Sequence, residues 1–174
     1  MGAAISICAN NASKDGIRSL WHQAARFEHE PSMLALNYPP HITFAIYDDI
    51  DQDALHAAAR SAFAGVGPVH IVFDRIAHFD GSPLVLWATP QDRMALHELH
   101  RAIHDCLSLD GCREYYMLGR WVPHCTLAMA IPDDKRTAAM AFAAQGIKPF
   151  EVTFDSAECI LFPPIKVTER LVLD

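Results

Sequence analysis

Two five-residue stretches of this chain repeat the same chemistry. Pro40-His41-Ile42-Thr43-Phe44 and Pro123-His124-Cys125-Thr126-Leu127 each read proline, histidine, apolar, threonine, apolar. Imidazole has an ordinary pKa of about 6.5, so near neutral pH one histidine can accept a proton while another gives one. A threonine hydroxyl beside each adds a hydrogen-bond donor without adding charge. Two such pairs across a groove suit attack on an anionic phosphodiester. One imidazole deprotonates the attacking oxygen, the other protonates the leaving oxygen, and the hydroxyls hold the non-bridging oxygens. The scheme needs no metal or cofactor. His41, Thr43, His124 and Thr126 are therefore the candidate catalytic residues.

Something must aim these groups, and the surrounding residues say what. The runs His41 to Tyr47 and His124 to Ile131 are rich in Ile, Thr, Phe, Val and Leu, which reads as buried strands. On a strand, residues two apart share a face. His41 and Thr43 then look one way and Ile42 and Phe44 the other, with the same parity at His124 and Thr126. The proline before each histidine suits a strand entry, where its missing N–H does least harm.

The rest of the chain reads as two passes through one pattern. Residues 3–9 form a first strand, and Ser13 or Asp15 is placed to cap a helix carrying Ile17, Leu20, Trp21 and Ala24 to about Glu28. Pro31 and Pro39-Pro40 bracket a loop before the first His/Thr strand. Asp51 caps the next helix (Leu55, Ala59, Ala62, Phe63), which Gly65 and Gly67 end. Strands follow from Pro68 to Phe79 and from Leu84 to Thr89.

The second pass has a helix from about Gln91 to Leu107, with Ala95, Leu99, Ala102, Ile103 and Cys106 inward. After the second His/Thr strand, Asp133 or Asp134 caps a helix bearing Ala138, Ala141 and Phe142. Strands from Phe150 to Phe162 and around Leu171 to Leu173 complete it. The histidines lie 83 residues apart, and Pro68-Val69-His70-Ile71-Val72-Phe73-Asp74 matches Pro149-Phe150-Glu151-Val152-Thr153-Phe154-Asp155 at an offset of 81. The expectation is one domain over residues 1–174, made of two repeats (about 1–82 and 83–174) related by a pseudo-two-fold axis. Such an axis brings the two His/Thr pairs face to face.

Bulk properties narrow the function classes. The 174 residues are 51% hydrophobic and 20% charged, with a net charge of −7. That balance argues against an extended footprint on nucleic-acid phosphates, though a local pocket for a small anion or an RNA end is compatible with it. Five cysteines without a CxxC pair read as reduced thiols, and with no signal peptide or membrane span the expected setting is cytoplasmic. A monomer is expected.

The doubled His-apolar-Thr-apolar pattern resembles the two-histidine (2H) phosphoesterase superfamily, which includes the RNA 2′,5′-ligase-like proteins and cyclic nucleotide phosphodiesterases. The resemblance covers essentially the whole chain. It implies an α+β fold, a two-lobed pseudo-symmetric duplication of a β-α-β-α-β unit, with antiparallel sheets lining a central groove and helices outside. It also implies His41 and His124 as the catalytic pair, Thr43 and Thr126 as phosphate ligands, and substrates such as 2′,3′-cyclic phosphates, ADP-ribose 1″,2″-cyclic phosphate or 2′,5′-linked RNA ends.

Other features are weighed against that reading. His97, His100 and His104 fall at i, i+3, i+7 and resemble a metal face, but Arg93 and Arg101 share their side, so a solvated polar face is expected. The chain lacks the triple-histidine strand of the histidine-triad nucleotide hydrolases. Cys125 is turned from the groove by strand alternation and reads as core. Tyr38, Tyr115, Tyr116, Arg120 and Trp121 precede the motif strands, and of these Arg120, Tyr38, Tyr116 and Trp121 are the candidate substrate-binding residues. The alternative to an enzyme is a nucleotide-binding module that keeps the groove without turnover.

Overall fold

The computed structural model describes residues 1–174 and is a mixed α+β fold built on one antiparallel sheet. Its strands are β1 (Gly2–Ala9), β2 (His41–Tyr47), β3 (Val69–Phe79), β4 (Leu84–Pro90), β5 (Cys125–Ile131), β6 (Phe150–Phe162) and β7 (Lys166–Val172). The helices are α1 (Asp15–Ala24), the single turn α2 (Ser32–Ala35), α3 (Gln52–Ala62), α4 (Met94–His104) and α5 (Asp133–Ala144). No helix is long and apolar enough to cross a membrane.

The strand order is β2-β1-β6-β3-β4-β5, and β7 adds to β6. The long strand β6 serves both halves. Residues 154–162 pair with β1, with β7 on the opposite edge, while Phe150 to Phe154 pair with β3. At that junction Val69 pairs with Phe154, Ile71 with Val152 and Phe73 with Phe150. An offset of 81 carries Val69 onto Phe150 and Phe73 onto Phe154, so it exchanges these two pairs. It carries Ile71 onto its own partner Val152. The sequence echo thus centres on a single cross-strand pair.

The sheet's two end strands, β2 and β5, nevertheless approach each other, because the helices cross over. Helix α1 of the first half packs on β5, and α4 of the second packs on β2. Two indoles tie this arrangement. Trp21 Nε1 on α1 donates to the Thr126 carbonyl at 2.9 Å, and Trp121 Nε1 donates to the Thr43 carbonyl at 3.0 Å. The main core fills the helix-covered side of the sheet, and a smaller group of Ala4, Cys8, Tyr38 and Ile160 lies on the other side.

Several local expectations hold and several shift. Asp51 caps α3 by accepting from the Asp53 N–H. Neither Ser13 nor Asp15 caps α1: its N-cap is Lys14, and Ser13 Oγ accepts from the Thr153 N–H instead, tying the turn to β6. Pro132 is the N-cap of α5, so Asp133 and Asp134 sit in its first turn, where the helix dipole favours acids. The buried face of α5 is Ala139, Phe142 and Ala143, leaving Ala138 and Ala141 exposed. In an alanine-rich helix a rotation of one residue changes the apolar pattern little, so the face was ambiguous. The last strand starts at Lys166, five residues before the expected apolar segment, because an edge strand with both faces partly wet shows no apolar alternation.

Helix α4 departs most. Ala95 and Cys106 are exposed, Ala102 is half-buried, and Leu96, Leu99, His100, Ile103 and His104 point inward. The expected solvated face is therefore wrong for two of its three histidines. His97 is exposed, but the His100 ring stacks on Trp121 at 4.4 Å and its Nε2 lies 2.8 Å from the Tyr116 carbonyl. Burial holds the His100 pKa down at about 4 and lowers that of His104 as well.

A histidine kept neutral in the fold but free to protonate when unfolded makes stability depend on pH. Between the unfolded value of about 6.5 and the folded one, the unfolded chain binds more protons, so stability falls as pH falls through that window. The unfolding free energy from denaturant titration is expected to drop between pH 7 and pH 5. His100→Leu is expected to flatten that slope, and an unchanged slope in this variant would exclude His100 as a source.

Candidate active site

Each motif histidine is set by the same local geometry. His41 opens β2 and His124 immediately precedes β5. His41 Nδ1 lies 2.9 Å from the Pro39 carbonyl, and His124 Nδ1 lies 2.7 Å from the Val122 carbonyl. A carbonyl only accepts, so in both rings the Nδ1 carries the hydrogen and Nε2 is left for chemistry. Both carbonyls belong to the residue two before the histidine, so the doubled motif builds the same tautomer twice. Burial along the strands alternates as the parity argument requires. His41, Thr43, His124 and Thr126 are half-buried, whereas Ile42, Phe44, Cys125 and Leu127 are buried. Their strands β2 and β5 approach each other, and the charge of His41 lowers the pKa of His124.

The surroundings of the two rings differ. His41 meets the edge of Tyr38 at 4.9 Å. The Tyr38 hydroxyl donates to Glu158 Oε2 at 2.7 Å, and Cys8 Sγ lies 3.1 Å from the same hydroxyl. Glu158 is itself buried and faces Arg170, whose Nε lies 3.5 Å from Oε1. His124 instead sits among aromatics, 5.1 Å from Phe79 and 5.9 Å from Trp87, which stack on each other.

These environments pull the proton affinities apart. Burial lowers both pKa values, and the backbone carbonyl opposes it at both. The Glu158 carboxylate then raises His41, while the charge of His41 lowers His124 further. The Glu158 carboxylate thus favours a proton on His41, and that proton disfavours a second one on His124.

Thr43 belongs to a polar row that crosses four strands. Ladder register aligns Thr43 with Ser6, Ser6 with Glu158 and Glu158 with Arg170. Thr43 Oγ1 lies 2.9 Å from Ser6 Oγ. A cavity of about 590 Å³ opens beside the second motif, lined by His124, Thr126, Phe79, Tyr115, Tyr116 and Arg120. Arg120 pairs with Glu114 and remains largely exposed. Tyr38 and Trp121 are placed differently. Tyr38 is buried behind His41, and Trp121 is buried between Phe44 and His100 while binding the Thr43 carbonyl.

Ser6, Phe79, Trp87 and Glu158 escaped the sequence reading. Ser6 did carry a signal, as the one polar side chain of β1, whereas Glu158 is one of several polar residues in β6 and did not stand out. Phe79 and Trp87 carried none, because an aromatic in a strand looks the same whether it lines a groove or a core.

An antiparallel sheet in which two strands that approach each other each carry a carbonyl-tied histidine and a half-buried threonine is the setting in which the chain's relatives are to be judged. The chain matches the 2′-5′ RNA ligase superfamily over residues 14–162, and it belongs to that family. Solved structures agree on the fold. LigT of E. coli, complexed with 3′-AMP, is 16% identical at a TM-score of 0.65 over 98% of this chain and 97% of that one. A phosphoesterase of known crystal structure is 15% identical at a TM-score of 0.63, again over 98% and 97%. Usb1 of Kluyveromyces marxianus, with uridine monophosphate, is more distant, 8% identical at 0.51 over 99% and 96%. No curated protein sequence matches the chain.

Proposed function

We propose that this chain is a metal-independent phosphodiesterase acting on a cyclic phosphodiester, 2′,3′ or 1″,2″, or on a 2′,5′-linked nucleotide or RNA end. The observation that carries the reading is the pair of imidazoles whose Nδ1 atoms are both tied to a carbonyl two residues back, which leaves the Nε2 atom of each free for proton transfer. Family membership supports a phosphodiester substrate. The relatives crystallised with 3′-AMP, NADP⁺ and uridine monophosphate support a small nucleotide ligand.

In the proposed reaction His124 Nε2 takes the proton of the attacking water as its oxygen bonds to phosphorus. The bond from phosphorus to the leaving oxygen breaks, and His41 Nε2–H gives that oxygen its proton. Solvent then removes a proton from His124 and returns one to His41. Thr43, oriented by Ser6, and Thr126 donate to the non-bridging oxygens, whose charge grows in the transition state. Arg120 and Tyr116 hold the nucleoside or a second phosphate in the cavity beside His124. The chain acts as one duplicated unit, since each half supplies one His/Thr pair.

The test is turnover of a panel of 2′,3′-cyclic and 1″,2″-cyclic phosphates and 2′,5′-linked dinucleotides, followed by phosphorus NMR with EDTA present. Turnover unaffected by the chelator is expected for at least one. Binding without turnover across the panel would favour a nucleotide-binding module, and loss of rate to EDTA with recovery on added Mn²⁺ would defeat the acid–base scheme. The pH profile of kcat/KM should be bell-shaped. Because burial lowers both histidines, its maximum is expected on the acid side of the ordinary imidazole value. The single negative charge of a bound phosphodiester raises both, so the kcat maximum should lie at higher pH than that of kcat/KM. Coincident maxima would contradict this electrostatic account.

A further inference from the structure

On the side of the sheet away from the groove, three metal-ligating groups converge. Cys159 and Glu169 are direct cross-strand partners on β6 and β7, and His56 reaches them from α3. One donor atom from each lies within 4.8 Å of the others. Parity separates this cluster from the catalytic groove, because the adjacent pair Glu158 and Arg170 faces the opposite side.

The hydrogen bonding around the cluster is complete except where a cation would go. Glu169 Oε1 accepts from Arg60 Nε at 2.7 Å, but Oε2 is buried and has no partner at all. A buried carboxylate oxygen whose lone pairs meet no donor carries the full cost of its lost hydration. The Cys159 thiol has no better acceptor than the Leu55 carbonyl at 4.0 Å. The Thr168 hydroxyl donates to the Cys159 carbonyl at 3.1 Å, so toward His56 Nε2, 2.9 Å away, it must accept. With Nε2 bonded to Thr168, Nδ1 is the ring nitrogen that can bind a cation. Arg60 on the carboxylate and Thr168 on the imidazole are the kind of outer contacts that orient metal ligands.

We propose that His56, Cys159 and Glu169 form a binding site for a zinc-type divalent cation that clamps α3 to the β6–β7 hairpin. Thiolate, imidazole and carboxylate together select a borderline cation such as Zn²⁺ over Mg²⁺ or Ca²⁺, and three protein ligands leave a fourth tetrahedral position for water. On binding, the thiol loses its proton to solvent. The dication, thiolate and carboxylate then sum to zero charge, and only the largely exposed Arg60 adds to it. The cation is structural, so the groove chemistry proceeds with or without it.

The experiment uses the full chain, stripped with chelator and titrated with Co²⁺ as a spectroscopic stand-in for Zn²⁺. One equivalent should bind with a thiolate-to-cobalt charge-transfer band in the near ultraviolet, and Zn²⁺ should displace it. Zn²⁺ at a hundredfold excess over its Kd should raise Tm by roughly 5–10 °C. Cys159→Ser should abolish the band, and Glu169→Gln, which keeps the volume, should weaken binding at least ~10-fold. Absence of the band in the unsubstituted protein overturns the proposal. So does a band that survives Cys159→Ser but is lost in Cys106→Ser, the exposed thiol. If Cys159→Ser fails to fold, an unchanged affinity in Glu169→Gln overturns it equally.

Discussion

His41→Ala and His124→Ala are each expected to lower kcat at least ~100-fold on the substrate that the panel identifies, because each removes a proton-transfer group from the reacting bonds. The double variant should lose little more than the worse single one, since a base without its acid partner, or the reverse, leaves the same step uncatalysed. Thr43→Ala and Thr126→Ala should cost less, about 10-fold each, because a neutral donor is lost while proton transfer continues. Stopped assays by phosphorus NMR, with tryptophan fluorescence to check folding, decide the matter. A single histidine variant that retains most of its rate removes that residue from the scheme. The electrostatic asymmetry adds a finer expectation. Glu158→Gln takes away the carboxylate that raises His41, so the limb of the pH profile set by the acid should move to lower pH while KM changes little.

How much of this was legible from residues alone depended on the range of the interaction. Strand parity is local, so the facing of His41, Thr43, His124 and Thr126 followed directly from their spacing. The echo between the two Phe-Asp segments was also legible, and its offset of 81 is that of the central β3–β6 pair, Ile71 and Val152. The polar row Thr43–Ser6–Glu158–Arg170 was not, because it spans four strands whose neighbours are fixed only by long-range pairing. Knowing that β6 lies between β1 and β7 is what turns Glu158 from one of several polar residues in a strand into the charge behind His41.

The misreading of α4 has a different cause. Arg93, His97, Arg101 and His100 lie close on a helical wheel, and beside two arginines the histidines read as part of a solvated face. Imidazole is small, flat and mostly apolar, so once neutral it packs on an indole as an aromatic would. Trp121 supplies that indole, and its own place in the motif loop made it look like a residue for stacking on substrate. The two errors are one contact seen from both sides: the ring that Trp121 stacks on is His100, not a base.

That contact makes Trp121 the residue whose loss should disturb the structure most. Its ring lies 4.4 Å from His100 and 5.3 Å from Phe44, it is buried, and its N–H holds the Thr43 carbonyl of β2. Trp121→Ala removes a large buried side chain and leaves both neighbours facing a cavity, which costs about 3–5 kcal/mol. For a chain of this length that corresponds to a Tm lower by roughly 10 °C or more. Trp121→Phe keeps most of the packing and loses the hydrogen bond, so it should cost only about 1 kcal/mol. Activity separates the two roles. The indole belongs to the loop before the second motif, yet it binds the first, so it fixes the spacing of the two His/Thr pairs. Even Trp121→Phe should therefore lower kcat about 10-fold at a temperature where the protein stays folded, with KM nearly unchanged. A Trp121→Phe enzyme with unchanged kcat and a raised KM would mean instead that this ring contacts substrate, and the tie between the two strands would have to be credited to Trp21 alone.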